Sequence, residues 1–445
     1  MRYPRLLLIA LGRVNAADTS NNGLLLRNLL SDWPREHLAQ IYSSGDNKDE
    51  GVAGRYFKIG PSERAGGDLF SRGKEEVVTH TQERRHKPQN SPRSETLRHR
   101  VALAGKQTIA DTGLYELVFP LKASPRLLDW VEEFRPDVIL AQGYSLGMVT
   151  LPLAIRRHFN TRLATFWSDD WPTYLYAGQL GELGFARWLM RPLVDRQVKR
   201  LVAAADVAFA FGEPMAEAYH QRYKRAFYTL GHSDDAERFR SAEPLRYHPK
   251  ETISLVVAGN VNRYRAPLLL DLAECCGRLS ERGRTARVCA VVSGMESGVK
   301  EQLAGRQFLD IMKDPGSATL PSYLKGADIL VLAESFDESY VQAIRLSISS
   351  KAHLFMFSER PIIVYAHRDT GVAHYARSHG WAQMVTTRDP ELLCEAVESL
   401  VDNLTTRSTL VERARHIAQT SHDSAVMRSR FGQAVSELVA GGLDV

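Results

Sequence analysis

The chain has little cysteine, no long apolar run and almost no net charge, and each shortage removes a class of protein. Its 445 residues include four cysteines, Cys275, Cys276, Cys289 and Cys394. They show neither paired metal-ligand spacing nor an even disulfide framework, which fits a reducing cytoplasm. No apolar stretch nears the ~20 residues of a membrane span. Leu6 to Leu11 (LLLIAL) follows Arg2 and Arg5 but is only six residues long. A signal peptide's apolar region takes roughly 7 to 15, so this stretch reads as a first buried strand. A net charge of +5 is too slight to require a nucleic-acid partner. No repeat recurs at solenoid periods. The turn after the first strand lacks the G-x-G-x-x-G spacing that admits a pyrophosphate to the backbone, so a nicotinamide or flavin site is poorly supported. No convincing D-x-D metal motif is found either, and neither a metal nor a cofactor is expected.

What is present is the composition of a globular protein, 44% hydrophobic and 24% charged. Short β-branched or leucine-rich runs alternate with helical patterns, which argues for parallel sheets joined by right-handed crossovers. In the first half, strands are expected near Leu6 to Leu11, Ala39 to Tyr42, Asp137 to Ala141, Arg162 to Trp167, Asp206 to Ala210 and Ala226 to Leu230. A polar stretch from His232 to Thr252 reads as a linker, after which strands are expected at Ile253 to Asn260, Arg287 to Gly294, Ala327 to Ser335 and Pro361 to Tyr365. The fold expected is α/β, two doubly wound Rossmann-like domains at 1–235 and 250–422 facing an interdomain cleft. Met427, Phe431, Val435 and Leu438 give a last helix in 423–445 one apolar face, suited to packing back on the first domain. Pro61 to Lys106 reads as an insertion; its basic part could face anionic lipid or a phosphorylated acceptor, or simply be solvated. Phe185 to Val202 mixes Arg187, Arg191, Arg196, Lys199 and Arg200 with apolar residues, as both interfacial helices and ordinary domain-surface helices do.

Ligands of open α/β sheets bind outside the carboxyl ends of the strands, so the loops there carry the chemistry. After the first strand, Ser20, Asn21, Asn22 and Gly23 can bind hydroxyls or cap the next helix. The strand Arg162 to Trp167 ends in FWSDDWP, where Asp169 and Asp170 could orient a hydroxyl or take its proton beside Trp171, unless they only build a turn. His232 follows another strand. In the second half, Gly259, Asn260, Arg263 and Arg265 (AGNVNRYRAP) precede a helix starting near Ala266, a combination that suits phosphate. Glu334, Ser335, Asp337 and Glu338 follow the strand ADILVLAES and can hold hydroxyls. Ser349 and Ser350 look like an N-cap, which puts Lys351 in a helix's first turn, where a cation is mildly disfavoured unless an anion lies there too. Arg265, Lys351 and two helix ends would grip a nucleotide sugar.

The order and spacing of NLLSDWPREHLAQIY, FWSDDWP, AGNVNRYRAP and the stretch from GADILVLAES to FSERPIIVYA resemble the GT-B-fold glycosyltransferases, more narrowly the family-four-like enzymes of bacterial capsule and O-antigen assembly. The resemblance spans nearly the whole chain. It implies transfer of a sugar from a nucleoside-diphosphate donor to a hydroxyl of a glycan or glycolipid, in the cytoplasm or at the inner face of the membrane. By position, Arg265 matches a basic residue on the donor diphosphate, Asn260 stands where many members have a second one, and Lys351 matches the lysine of an S-x-K segment. Asp169 and Asp170 match a segment facing the acceptor. Two glutamates that hold donor sugar and ribose in many relatives are replaced here by Leu346 and Leu354. Glu359 also replaces the usual glycine before the Arg360–Pro361 pair, and Glu334 or Glu338 could take over the ribose. The rivals are a nucleotide-sugar 2-epimerase and a non-catalytic nucleotide- or sugar-binding protein of the same fold.

Overall fold

The computed structural model describes residues 3–16, 21–45, 50–64, 77–79, 116, 120–174 and 184–441. The chain divides into two compact units. The first comprises Met1–Phe211, Ala216–Leu230 and Arg428–Val445, and the second Gly212–Met215 and Gly231–Met427.

In the first unit, β1 (Leu6–Ile9), β2 (Leu38–Tyr42), β3 (Arg55–Lys58), β4 (Val77–Thr79), β5 (Val138–Ala141), β6 (Arg162–Trp167), β7 (Val207–Phe211) and β8 (Tyr228–Leu230) form one sheet in the order β4-β3-β2-β1-β5-β6-β7-β8. All neighbours run parallel except the edge strand β4, which is antiparallel to β3. Leu6 pairs with Leu38 on one side and Val138 on the other. The strand order therefore reverses at β1 and β5, where an α/β sheet opens a crevice. Every residue of β1, β2, β5 and β7 is buried, which is why β1, β5 and β7 read as continuous apolar runs and β2 as one broken only by Gln40, rather than as alternation.

The second unit repeats the plan. Strands β9 (Ile253–Val261), β10 (Ala286–Met295), β11 (Leu309–Lys313), β12 (Ile329–Ala333), β13 (Ile362–Tyr365) and β14 (Gln383–Val385) lie parallel in the order β11-β10-β9-β12-β13-β14, so the reversal falls between β9 and β12. The helix Ala266–Glu281 buries Leu268, Leu269, Leu272, Cys275, Cys276 and Leu279, spaced along one face, against Leu255, Val288 and Val331. The four cysteines are free and buried, in the role of small apolar side chains.

Two local expectations change. Lys351 is the cap residue of the helix Ala352–Phe357, not part of its first turn, because the Ala352 N–H is taken by the Ser349 carbonyl at 3.0 Å in a preceding turn. The segment His232–Thr252 is not wholly irregular: Asp235 caps a helix Ala236–Arg240 by accepting the Glu237 N–H at 2.9 Å, and Phe239 packs on Phe357 with ring centres 5.3 Å apart. The basic stretch around residue 190 is a helix, Gly184–Ala204, whose Met190, Val194, Val198 and Leu201 are buried, while Trp188 and Leu189 are exposed. At the other end of the chain, the helix Ser424–Ala440 brings Phe431 against Trp33 and Phe209, with ring centres 5.6 and 5.5 Å apart, and Arg428 bonds Asp32 at 2.7 Å. No helix among the described residues is long and apolar enough to cross a membrane.

Candidate functional site

Both strand-order reversals carry a polar cluster. In the second unit it forms at the end of β9. Gly259 has φ +126°, a conformation that L side chains rarely adopt. A Cβ there would lie 3.0 Å from Lys351 Cε and 3.5 Å from Arg265 Nη1. The glycine thus lets the two cationic side chains converge over the strand end. Lys351 and Arg265 come from segments 86 residues apart in sequence, joined only by the topology.

Arg265 is held on two sides. Its Nη1 donates to the Asn260 carbonyl at 3.1 Å, and its Nη2 pairs with Glu334 Oε1 at the end of β12. The side chains are 22% and 7% exposed, so this is a largely desolvated pair. The loop beneath is preorganised: Asn262 Oδ1 accepts the N–H groups of Tyr264 and Arg265, both at 3.1 Å, and the Arg263 N–H donates to Glu296 at 2.9 Å. Tyr264 stacks on Tyr340 with ring centres 4.3 Å apart and planes 15° off parallel. Lys351 makes no ion pair among the described residues. Burial, and next the charge of Arg265, hold its ammonium below the ordinary lysine pKa, with Asp314 and Glu334 pulling the other way. Glu334 pairs with Arg265, whereas Lys351 has only the more distant charges of Asp314 and Glu334 and no direct ion-pair partner among the described residues. Beneath the cations the strand ends enclose a cavity of only about 20 Å³, lined by Gly259, Arg265, Glu334, Ser349 and Lys351, so a larger anion would have to sit on their outer side.

The remaining second-unit candidates surround this centre. Asn260 contributes its carbonyl, and Arg263 is exposed, its guanidinium 4.9 Å from the Tyr264 ring centre. Ser335 is buried and accepts the Asp337 N–H at 2.9 Å. Asp337 caps the helix Glu338–Ile344, accepting from Ser339 N at 3.0 Å and Tyr340 N at 3.2 Å. Glu338 is exposed and Ser350 half-buried beside Lys351. His232 belongs to this unit and is buried in a column of imidazoles: its ring lies 5.7 Å from that of His353, which lies 6.1 Å from that of His422. His422 Nδ1 donates to the His232 carbonyl at 2.8 Å, and its Nε2 lies 3.1 Å from the Tyr375 hydroxyl. Burial, with Lys351 and His422 nearby, pushes the His232 pKa down to about 3. His232 is therefore neutral and interior, with no surface for a sugar.

In the first unit the cluster gathers at the ends of β1, β5 and β6. Asn22 Oδ1 accepts from Gln142 at 2.9 Å and from Ser168 Oγ at 3.1 Å. Since the Ser168 proton is spent on Asn22, the 2.6 Å contact between Tyr144 and Ser168 has the tyrosine as donor. The two aspartates of FWSDDWP part company here. Asp170 is buried, takes both arms of Arg222 at 2.9 and 3.4 Å, and accepts from Tyr219 and Thr173, each at 3.0 Å. Asp169 accepts from Tyr174 at 2.8 Å. Burial, partly offset by the Tyr174 hydrogen bond and reinforced by the charge of Asp170, pushes its pKa up to about 6. Trp171 is 2% exposed and its indole N–H is bonded to the Gly143 carbonyl at 2.6 Å, so the ring is floor rather than surface. Gly23 lies in the first turn of the helix Asn21–Leu29; Ser20 and the Asn21 side chain lie outside the described residues.

Sequence reasoning missed Gln142 and Tyr144, though LAQGYS ends a strand as plainly as FWSDDWP does. It also missed Arg222 and Tyr340, which no local pattern marks. No group of three or more metal-ligating side chains occurs among the described residues.

Comparison with known proteins agrees with this architecture. Residues 72–226 match the glycosyl transferase 4-like domain. No curated protein matches the chain. Among solved structures, sucrose-phosphate synthase from Thermosynechococcus elongatus is similar with a TM-score of 0.60 at 13% identity, covering 99% of this chain and 100% of that one. The α,α-trehalose 6-phosphate synthase from Burkholderia multivorans gives a TM-score of 0.60 at 11% identity over 99% and 98% of the two chains. HepE from Anabaena, in complex with UDP and glucose, gives 0.57 at 12% identity over 98% and 100%. These likenesses establish the GT-B fold, and the domain match supplies the class. The chain is a glycosyltransferase of the GT-B fold with a family-four-like domain in its first half.

Proposed function

We propose that the protein transfers a sugar from UDP to a hydroxyl of a glycan or glycolipid acceptor in cell-surface polysaccharide synthesis. The observation that carries the donor half is the convergence of Arg265 and Lys351 over Gly259. The hard step is departure of the diphosphate, and two preorganised cations at its oxygens neutralise the charge that develops there, without a metal cofactor. The glucose and UDP bound by the similar HepE structure favour UDP as the nucleotide. Leu346, which is buried, and Leu354, which is half-buried, carry no carboxylate for the donor. We assign that contact to Glu334, which already sits on Arg265.

On the acceptor side, Asp169 is the better candidate for orienting the hydroxyl or accepting its proton, because Asp170 is committed to Arg222, Tyr219 and Thr173. Exposed Trp188 and Leu189 beside Arg191 support peripheral contact with the anionic inner face of the membrane.

Calorimetry with UDP, GDP, ADP and TDP, followed by turnover of the sugar conjugates of the nucleotide bound, tests the proposal. Expected is UDP binding that weakens in Lys351→Ala and Arg265→Ala. Binding of no nucleotide, or binding indifferent to both substitutions, would overturn it. Incubation with donor alone, leaving the sugar unepimerised, separates transfer from 2-epimerisation.

A further inference from the structure

The first unit also has an open surface hollow of about 640 Å³ by the last turns of the helices Gly184–Ala204 and Gly212–Tyr223, lined by Lys199, Val202, Arg222, Tyr223, Lys224 and Arg225 among others. Its lining holds four cations and no carboxylate. Two of them are accounted for by the fold. Arg225 donates to the carbonyls of Val202 at 3.2 Å and Asp206 at 2.7 Å, closing a helix end, and Arg222 reaches Asp170. Lys199 and Lys224 make no ion pair among the described residues.

Basic residues near a helix C-terminus offset its dipole, typically by 0.3 to about 1 kcal/mol each. That explains a lysine reaching for the last carbonyls. It does not explain why Lys199 and Lys224, neither with an ion-pair partner among the described residues, border one hollow beside two arginines that the fold already engages; an anion seated there would offset their charge. The side of the hollow formed by Val202, Ala203, Ala226 and the Tyr223 ring is apolar or aromatic, so it can pack against whatever carries the anion.

We infer that this hollow binds a phosphate-bearing ligand at a site distinct from the Arg265–Lys351 cluster, with Lys199 and Lys224 as its principal anion contacts and Arg222 shared with Asp170. The inference rests on the first unit alone and needs nothing of the donor assignment. Lys199 lies eleven residues beyond Trp188, about 16 Å along the helix, so the hollow is also separate from that exposed indole. The phosphate could belong to a soluble sugar phosphate or pyrophosphate, or to a lipid headgroup. Because Asp170 adjoins Asp169, an anion competing for Arg222 would be felt at the proposed acceptor carboxylate.

The test reverses the two unpaired charges in Lys199→Glu/Lys224→Glu and compares them with an equal change at exposed lysines of the second unit, Lys300→Glu/Lys313→Glu. Inorganic pyrophosphate is titrated calorimetrically into protein carrying Arg265→Ala/Lys351→Ala, which keeps the probe off the other cations. Intact protein is sedimented with phosphatidylglycerol vesicles and with phosphatidylcholine vesicles. Unchanged melting temperatures confirm that each variant is folded. Expected is at least about a tenfold loss of pyrophosphate affinity, of anionic-vesicle binding, or of both, in the Lys199/Lys224 variant and not in the control. Loss in the first assay identifies a soluble phosphate and loss in the second alone a headgroup. Losses equal to the control's, or no binding of either probe by the parent protein, would overturn the inference.

Discussion

The two strand-end clusters occupy equivalent places in their sheets yet are built on opposite electrostatic plans. At β1, β5 and β6 the first unit assembles uncharged hydroxyls and amides that satisfy one another, around one carboxylate with its pKa near 6 and a second locked to Arg222. At β9 and β12 the second unit brings two cations together over a glycine and pairs a carboxylate, Glu334, with one of them only. A satisfied network presents geometry and selects hydroxyls by shape, whereas one with an unpaired cation presents charge and selects an anion. The same topology thus yields a surface suited to a neutral sugar and another suited to a diphosphate, and side-chain choice at the strand ends decides which.

That contrast breaks most sharply at Asp170. If it is structural, Asp170→Ala leaves Arg222 and the Tyr219 hydroxyl without their partner and should cost about 3 to 5 kcal/mol of stability, read as a lowered denaturation midpoint. A variant as stable as the parent would return Asp170 to the list of chemical groups. Next comes Lys351→Ala, which should leave the midpoint nearly unchanged and lower turnover at saturating donor by ~10² to 10³, about 2.7 to 4 kcal/mol. Gly259→Val should lower turnover as well, since a side chain at φ +126° would crowd both cations, and the strain of that φ should also lower the midpoint. A fully active Gly259→Val would deny the convergence any role.

Most strands of this fold could be read from the sequence because buried parallel strands are unbroken apolar runs. Those that escaped are short or exposed: Arg55–Lys58 has four residues with a charged one at each end, Leu309–Lys313 alternates with solvent, Gln383–Val385 has three residues, and Val77–Thr79 lies in a stretch that reads as an insertion. The candidate site was legible in its charged residues, Arg265, Glu334, Lys351 and Asp169, since each closely follows a strand or precedes a helix. Burial was not legible. Nothing in FWSDDWP distinguishes Asp169 from Asp170, because the partner that sets them apart, Arg222, lies 52 residues further on. His232 looked like a site residue for the same reason: the imidazoles that enclose it come from residues 353 and 422.

A finer test of the first cluster uses pH. If Asp169 accepts the acceptor's proton, it must be ionised, so turnover should fall about tenfold per unit as pH drops below about 6 and level off above it. Asp169→Asn should remove this limb together with most of the rate. Asp170→Asn should move the limb to lower pH, because the like charge next door helps to hold the Asp169 proton. A limb that stays in place would mean that the titrating group is not Asp169. A rate independent of pH there would favour the leaving phosphate as base, an option open to a retaining enzyme.

The smallest effect expected concerns how the second cluster is held. Tyr340, on the helix after β12, stacks face to face on Tyr264 in the loop that carries Arg265. Such a pair contributes about 0.5 to 1.5 kcal/mol beyond its buried area. If its purpose is to steady that loop, Tyr340→Ala should raise KM for the donor several-fold while leaving kcat much less altered, and Tyr340→Phe should restore it. A loss that phenylalanine does not rescue would assign the effect to the phenolic hydroxyl, near Arg265 and Glu334, instead of to stacking. That outcome would shift the account of this cluster from a charged centre on a rigid support towards a larger polar network, and so bring the two units' plans closer together.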